Sequence, residues 1–215
     1  MCYYGDGIEV NKAKAAENYK RAADFNLYNF PEFVGSSCVS EALFIYALML
    51  DKGDGIIQNK SEAATYYKRA IYEGNIKACF HYALMLYKGE LKAKNEHPFD
   101  YFEKSASDGN YTAYYYCAKI LYDKVKKDEL KKDKAEEYMI KAQEYFKIAA
   151  INGNIDSMYY YACFLYKNEQ KIGAANYFKK AADFGNVKSM FKYASMLYKG
   201  DGIKVNKKEA ALYYK

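Results

Sequence analysis

Chemistry that needs a metal or an activated nucleophile would fall, in this 215-residue sequence, to two histidines and five cysteines. A twelve-residue span from Asp51 to Glu62 adds an acid at each end. None of these patterns fits. His81 and His97 lie far apart, outside any His-x-x-x-His ligand spacing. Cys2, Cys38, Cys79, Cys117 and Cys163 are odd in number and widely spaced, without a Cys-x-x-Cys pair. They are expected to be thiols in a reducing compartment, not a disulfide framework or zinc site. The Asp51 to Glu62 span has the length of an EF-hand loop, but Gly53 and Gly55 stand where side-chain ligands belong and Ile56 takes the glycine position. A helix turn followed by a capping box accounts for it. Gly-x-Ser-x-Gly, a phosphate-binding loop and a dinucleotide fingerprint after a strand are all missing from the sequence. The expectation is no catalytic residue, no cofactor and no metal.

The span around Gly53 instead reports architecture, because it recurs. Gly5-Asp6-Gly7-Ile8 leads to Asn11, Gly53-Asp54-Gly55-Ile56 to Asn59, and Gly200-Asp201-Gly202-Ile203 to Asn206. Glycine permits the left-handed residue that closes a helix, Asp-Gly continues the turn, and asparagine caps the next helix. Glu62 and Glu209 stand at capping-box distance from their asparagines. Gly53, Gly89 and Gly200 mark a period of about 37 residues. A second punctuation, Gly74-Asn75, Gly109-Asn110, Gly153-Asn154 and Gly185-Asn186, divides each period into two helices. The helix after Gly-Asn is helix A; the one after the Asn cap is helix B.

Helix A repeats Ala42, Ala78, Ala113, Ser157 and Ser189, then Tyr46, Tyr82, Cys117, Tyr161 and Tyr193 four residues on. An alanine always follows (Ala47, Ala83, Ala118, Ala162, Ala194), and then Leu50, Leu86, Leu121, Leu165 or Leu197. These offsets share one helical face and predict a packing stripe. Helix B repeats Ala15-Ala16 with Tyr19 and Ala22-Ala23, Ala63-Ala64 with Tyr67 and Ala70, and Ala174-Ala175 with Phe178 and Ala181-Ala182. No helix can bury such a face alone, so stacked repeats must supply the core. Three places break the pattern: an extra stretch from Tyr28 to Cys38, Gly89-Glu90 without its second glycine, and the charged segment Lys124 to Lys134 before a lengthened helix B.

Ala-x-x-x-Tyr-Ala-x-x-Leu-x-x-Gly-Asp-Gly-Ile, followed by Asn-Lys-x-x-Ala-Ala-x-Tyr-Tyr-Lys-x-Ala-x-x-x-Gly-Asn, resembles the Sel1-like repeat, a relative of the tetratricopeptide repeat. It departs from that family in having Ala where Gly commonly follows the helix A core residue, and Leu where an aromatic is common. The resemblance implies an all-α fold, a right-handed α/α superhelix (solenoid) of antiparallel helix pairs. Residues 1–215 are expected to form one array of about five repeats, truncated within a repeat at both ends, with about eleven helices.

The formal net charge of +6 is mild and almost all lysine, with Arg21 and Arg69 the two arginines. Base and phosphate recognition favours arginine, so nucleic acid is not an expected partner. No uninterrupted apolar run is long enough to span a bilayer, and the expected location is cytoplasmic. Beside the repeating stripe of helix A runs one that varies: Ile45, His81, Tyr116, Tyr160 and Lys192, with Lys119 three residues beyond Tyr116. The resemblance implies that helix A lines a concave surface. These six residues are therefore the candidate contacts of a protein or peptide partner, and tyrosine with flanking lysine suits acidic groups. The alternative is a solvated, unconstrained face. The expected function is a non-enzymatic interaction scaffold or adaptor. Other readings are a regulatory repeat segment of a larger multidomain enzyme such as a protein kinase, a secreted cysteine-rich repeat protein, and a nucleic-acid binder.

Overall fold

The structure is a computed structural model that describes residues 11–29, 37–91, 93–127 and 131–214. The turn after Met1 and most of the extra stretch from Tyr28 to Cys38 lie outside these residues, as does Cys2. Among the described residues every regular element is an α-helix. They are α1 (Lys12–Asn29), α2 (Ser37–Lys52), α3 (Lys60–Tyr72), α4 (Ile76–Tyr87), α5 (Pro98–Ser107) and α6 (Tyr111–Lys126). Then follow α7 (Lys132–Ile151), α8 (Ile155–Lys167), α9 (Lys171–Asp183), α10 (Val187–Lys199) and α11 (Lys207–Tyr213). The eleven helices match the expected number, and the long α7 is the lengthened helix B. Two compact units result, Met1–Asp108 with α1 to α5 and Gly109–Lys215 with α6 to α11. Within each, every helix packs on its neighbours in the chain.

The asparagine caps form as the spacing requires. Asn59 accepts from the Glu62 N–H and Asn206 from the Glu209 N–H. The reciprocal half of the box takes another form: the Asn59 and Asn206 backbone N–H groups donate to the carbonyls of Leu50 and Leu197, each at 2.9 Å. The glutamates accept from the asparagine side-chain amides instead. The capping box thus ties each helix B to the end of the helix A before it. A second set of caps was not foreseen. Asn75, Asn110, Asn154 and Asn186, read from sequence only as the end of helix B, each cap the following helix A through their side-chain oxygens. Asn75 and Asn186 also donate to Glu41 and Asp156, at the start of the preceding helix A.

The alanine after the helix A tyrosine is fully buried in all five copies, which lets the helices approach closely. Tyr67, Phe102, Phe146 and Phe178 fill the centre of helix B, each essentially without exposure. Leu86 is half-buried, whereas its counterparts are buried. Ala22, placed on the packing face of α1, is exposed; only Ala15, Ala16 and Ala23 of that set are buried. The helix A tyrosine meets the tyrosine before the helix B centre edge-to-face in four pairs. They are Tyr46–Tyr66, Tyr82–Tyr101, Tyr161–Tyr177 and Tyr193–Tyr213, with centroids 4.7 to 5.1 Å apart. Such pairs contribute about 0.5–1.5 kcal/mol beyond area burial. In α6 a buried Cys117 replaces the tyrosine, and Tyr145 turns to Tyr114 at 5.3 Å. Phenols also reach back one repeat, Tyr66 donating to Asp24 and Tyr213 to Asp183.

The Gly-Asp-Gly turn joins neighbours as well as reversing the chain. A Cβ at Gly55 would overlap Lys12, and one at Gly202 would overlap Lys171, so the turn lies directly on the start of the preceding helix B. The acid between the glycines pairs with that same lysine, Asp54 with Lys12 at 2.8 Å and Asp201 with Lys171 at 3.0 Å. Gly89-Glu90 keeps this contact despite losing its second glycine, through Glu90 and Lys60 at 3.2 Å. After α8 the left-handed position is taken by Glu169, with φ 59°, where the turns after α2, α4 and α10 have Gly53, Gly89 and Gly200.

Candidate functional site

Helix A positions the candidate residues, and the two units are distinct in what they place there. In the first unit Ile45 of α2 is half-buried against the core. His81 of α4 lies nearly parallel to the ring of Tyr67, with centroids 5.7 Å apart and planes at 14°. Phe44 and Phe80 close two more sides, at 5.5 and 5.6 Å. Burial pushes the imidazole below its ordinary pKa; Asp51 opposes the shift and Lys52 adds to it. Asp51, the first acid of the EF-hand-like span, takes the Lys60 ammonium at 2.5 Å and the Tyr67 hydroxyl at 3.5 Å.

In the second unit Tyr160 of α8 stacks on Phe146, with centroids 4.6 Å apart and planes at 13°. Tyr122 meets it edge-on at 5.5 Å. Burial raises its phenol and Lys119 opposes the shift. The Lys119 ammonium lies 5.9 Å above the Tyr160 ring while paired with Asp123. Tyr116 is half-buried, its ring 5.1 Å from that of Tyr115. Lys192 of α10 is exposed and bears electrostatically on Cys163. The structure thus brings Lys119 onto Tyr160, whereas Lys192 sits on another helix. The stripe read from sequence as open surface is half-buried except at Lys192. His81 and Tyr160 in particular are braced by the central aromatic of the preceding helix B.

One feature beside this stripe was missed. A hollow of about 460 Å³ lies next to Tyr160, lined by Tyr115 of α6, Asp156 and Tyr159 of α8, and Phe184 and Lys188 around the start of α10. Its signal was the tyrosine doublets Tyr115-Tyr116 and Tyr159-Tyr160, which place a second ring beside each stripe position. Lys188 lies 5.8 Å over the Tyr159 ring, and Asp156 accepts from the Asn186 amide at 3.2 Å. The Cys163 thiol is pushed up by burial and so stays protonated near neutrality. Rings, hydroxyls and ammonium groups suit recognition of a ligand more than covalent chemistry.

Among the described residues Cys38, Cys79, Cys117 and Cys163 form no disulfide, and Cys79 and Cys117 are buried. Among the described residues no cluster of three or more His, Cys, Asp or Glu could hold a metal, and no helix is long and apolar enough to cross a membrane.

Two solved structures share the fold. A protective antigen of uropathogenic Escherichia coli strains, described as displaying an SLR fold, superposes with a TM-score of 0.75 at 24% identity over 99% of this chain. The chain spans 42% of that antigen's length. A Sel1 repeat protein from Oxalobacter formigenes gives a TM-score of 0.70 at 23% identity, covering 100% of this chain and 82% of that one. No curated protein gives a significant match. The Sel1 repeat model matches residues 1–24, 40–75, 76–110, 113–154 and 187–215. The segment between the last two matches carries the turn at Glu169, yet it keeps the edge-to-face tyrosine pair and the lysine-to-turn contact of its neighbours. By its matched repeats and its helix-pair geometry, the chain belongs to the Sel1 repeat family.

Proposed function

We propose that the chain is a non-enzymatic scaffold, acting as one repeat array, that binds a protein or peptide through the helix A stripe containing Ile45, His81, Tyr116, Lys119, Tyr160 and Lys192. The observation that carries this reading is the contrast between two adjacent faces of the same helices. On one face Ala47, Ala83, Ala118, Ala162 and Ala194 hold the same position in every copy and are fully buried, while the neighbouring face changes from copy to copy and carries half-buried rings with lysines over or beside them. Protein recognition draws its energy from such partly seated aromatic anchors. Four described cysteines outside any disulfide accord with a cytoplasmic location, and the scarcity of arginine argues against nucleic acid as the partner.

Because Tyr160 supports Phe146, its truncation would disturb the fold as well as the surface. The better test combines Tyr116→Ala with Lys192→Ala. Capture from lysate with wild type and this double variant, alongside thermal melts of both, should remove specific proteins from the variant's set while its Tm stays within about 2 °C, as for substitutions away from the core. An identical set of captured proteins would sink the stripe as the binding face.

A further inference from the structure

The hollow beside Tyr160 carries two features beyond its rings. Phe184 and Val187, on its rim, are 68% and 75% exposed, so it offers apolar surface that no described residue covers. Lys188 and Lys192, one turn apart on α10, are both exposed and, among the described residues, make no ion pair, unlike Lys12, Lys60, Lys68, Lys77, Lys119, Lys171 and Lys179. Asp156 is the one carboxylate among the described lining residues, and it already accepts from Asn186.

We propose that this hollow seats an apolar side chain of an acidic peptide, whose flanking carboxylates pair with Lys188 and Lys192. This rests on the peptide-binding reading above and narrows it to one place and one partner chemistry. An apolar anchor in a ring-lined hollow supplies the holding contact, and the ammonium groups of Lys188 at its edge and Lys192 one turn beyond select the sign of the flanking charge. Desolvating these two lysines breaks no described ion pair, whereas a partner of Lys60, Lys119 or Lys171 must compete with a neighbouring carboxylate.

Three fluorescein-labelled nonapeptides with a central Phe, flanked by Glu, Ser or Lys, test this by fluorescence anisotropy. The Glu-flanked probe should bind about tenfold or more tighter than the Ser-flanked one, since steering and pairing by two cations act together. The double variant Lys188→Glu with Lys192→Glu should reverse the order in favour of the Lys-flanked probe without moving the melt. Val187→Ser should weaken all three probes alike. Equal affinities, a preference that survives charge reversal, or a uridine oligonucleotide binding more tightly than any peptide would overturn the proposal. Peptide binding that ignores α10 but disappears with Tyr116→Ala would overturn the hollow and leave the helix A reading standing. Absence of peptide binding, alongside proteins lost from the Tyr116→Ala, Lys192→Ala capture set, would do the same.

Discussion

His81 and Tyr160 occupy the same position in different repeats, and each lies flat on the central ring of the preceding helix B, at 14° and 13°. Their surroundings then diverge. His81 is shut in by Phe44 and Phe80, and the carboxylate that bears on it, Asp51, is paired with Lys60, which also meets Glu90. Tyr160 sits under the Lys119 ammonium and beside a ring that carries Lys188, with unpaired Lys192 on the same helix as Lys188. The ring-on-ring contact is a property of the repeat. What the position can offer to a partner is set by the neighbouring side chains, which the repeat leaves free to vary.

If the two stacks are structurally equivalent, removing the ring beneath each should cost nearly the same. Tyr67→Ala and Phe146→Ala are each expected to lose about 3–5 kcal/mol, as for large aromatics truncated in a packed core. Urea unfolding measures both, and a loss near zero in either would break the equivalence. A smaller effect separates the two positions by pH. Because burial depresses the His81 pKa, the unfolded chain binds this proton more readily than the folded one below the ordinary value of 6.5. Stability from this group is complete above about pH 6.5 and falls as pH drops through that value toward the lowered one. His81→Phe should remove that component, so its urea midpoint, relative to wild type, should improve from pH 7.5 to pH 5.5. A constant difference between the two proteins would show that the imidazole is not held neutral. The smallest effect concerns the helix A alanine position. Ala42, Ala78 and Ala113 become Ser157 and Ser189 toward the end of the chain, and the two serine hydroxyls are buried with no hydrogen-bond partner among the described residues. Ser157→Ala and Ser189→Ala should each leave stability unchanged or raise it by up to about 1 kcal/mol, because an unsatisfied buried hydroxyl is removed. A clear loss in a thermal melt would reveal an acceptor for that hydroxyl.

Much of this fold was legible in the sequence because glycine, asparagine and alanine report backbone conformation and close approach directly. Gly53 and Gly200, the caps at Asn59 and Asn206, and the five buried alanines all fall where local rules put them. The second cap set was readable too, since Asn75 and its counterparts precede each helix A, but the preceding glycine drew the reading toward helix termination. The half-burial of the variable stripe was not legible. Periodicity tells which residues share a helical face, whereas the cover on that face comes from rings such as Tyr67 and Phe146, on a different helix of variable separation along the chain. The hollow was hidden for the same reason: it draws on α6, α8 and the start of α10, which no local window spans.

The contacts Lys12–Asp54, Lys60–Glu90 and Lys171–Asp201 carry a genetic consequence. Each of these three blocks of helix B plus helix A brings the lysine at its head and the acid at its tail, so the joint closes inside the block and not against a particular neighbour. A block copied or deleted whole keeps its own clasp, and the glycine that must lie flat on that lysine travels with it. The Gly89-Glu90 turn shows that the clasp tolerates exchange of Asp for Glu and loss of one glycine. Copy number in such a gene can therefore drift by unequal crossing-over while each surviving block remains a well-formed unit, and the exposed residues of the copies are left to diverge.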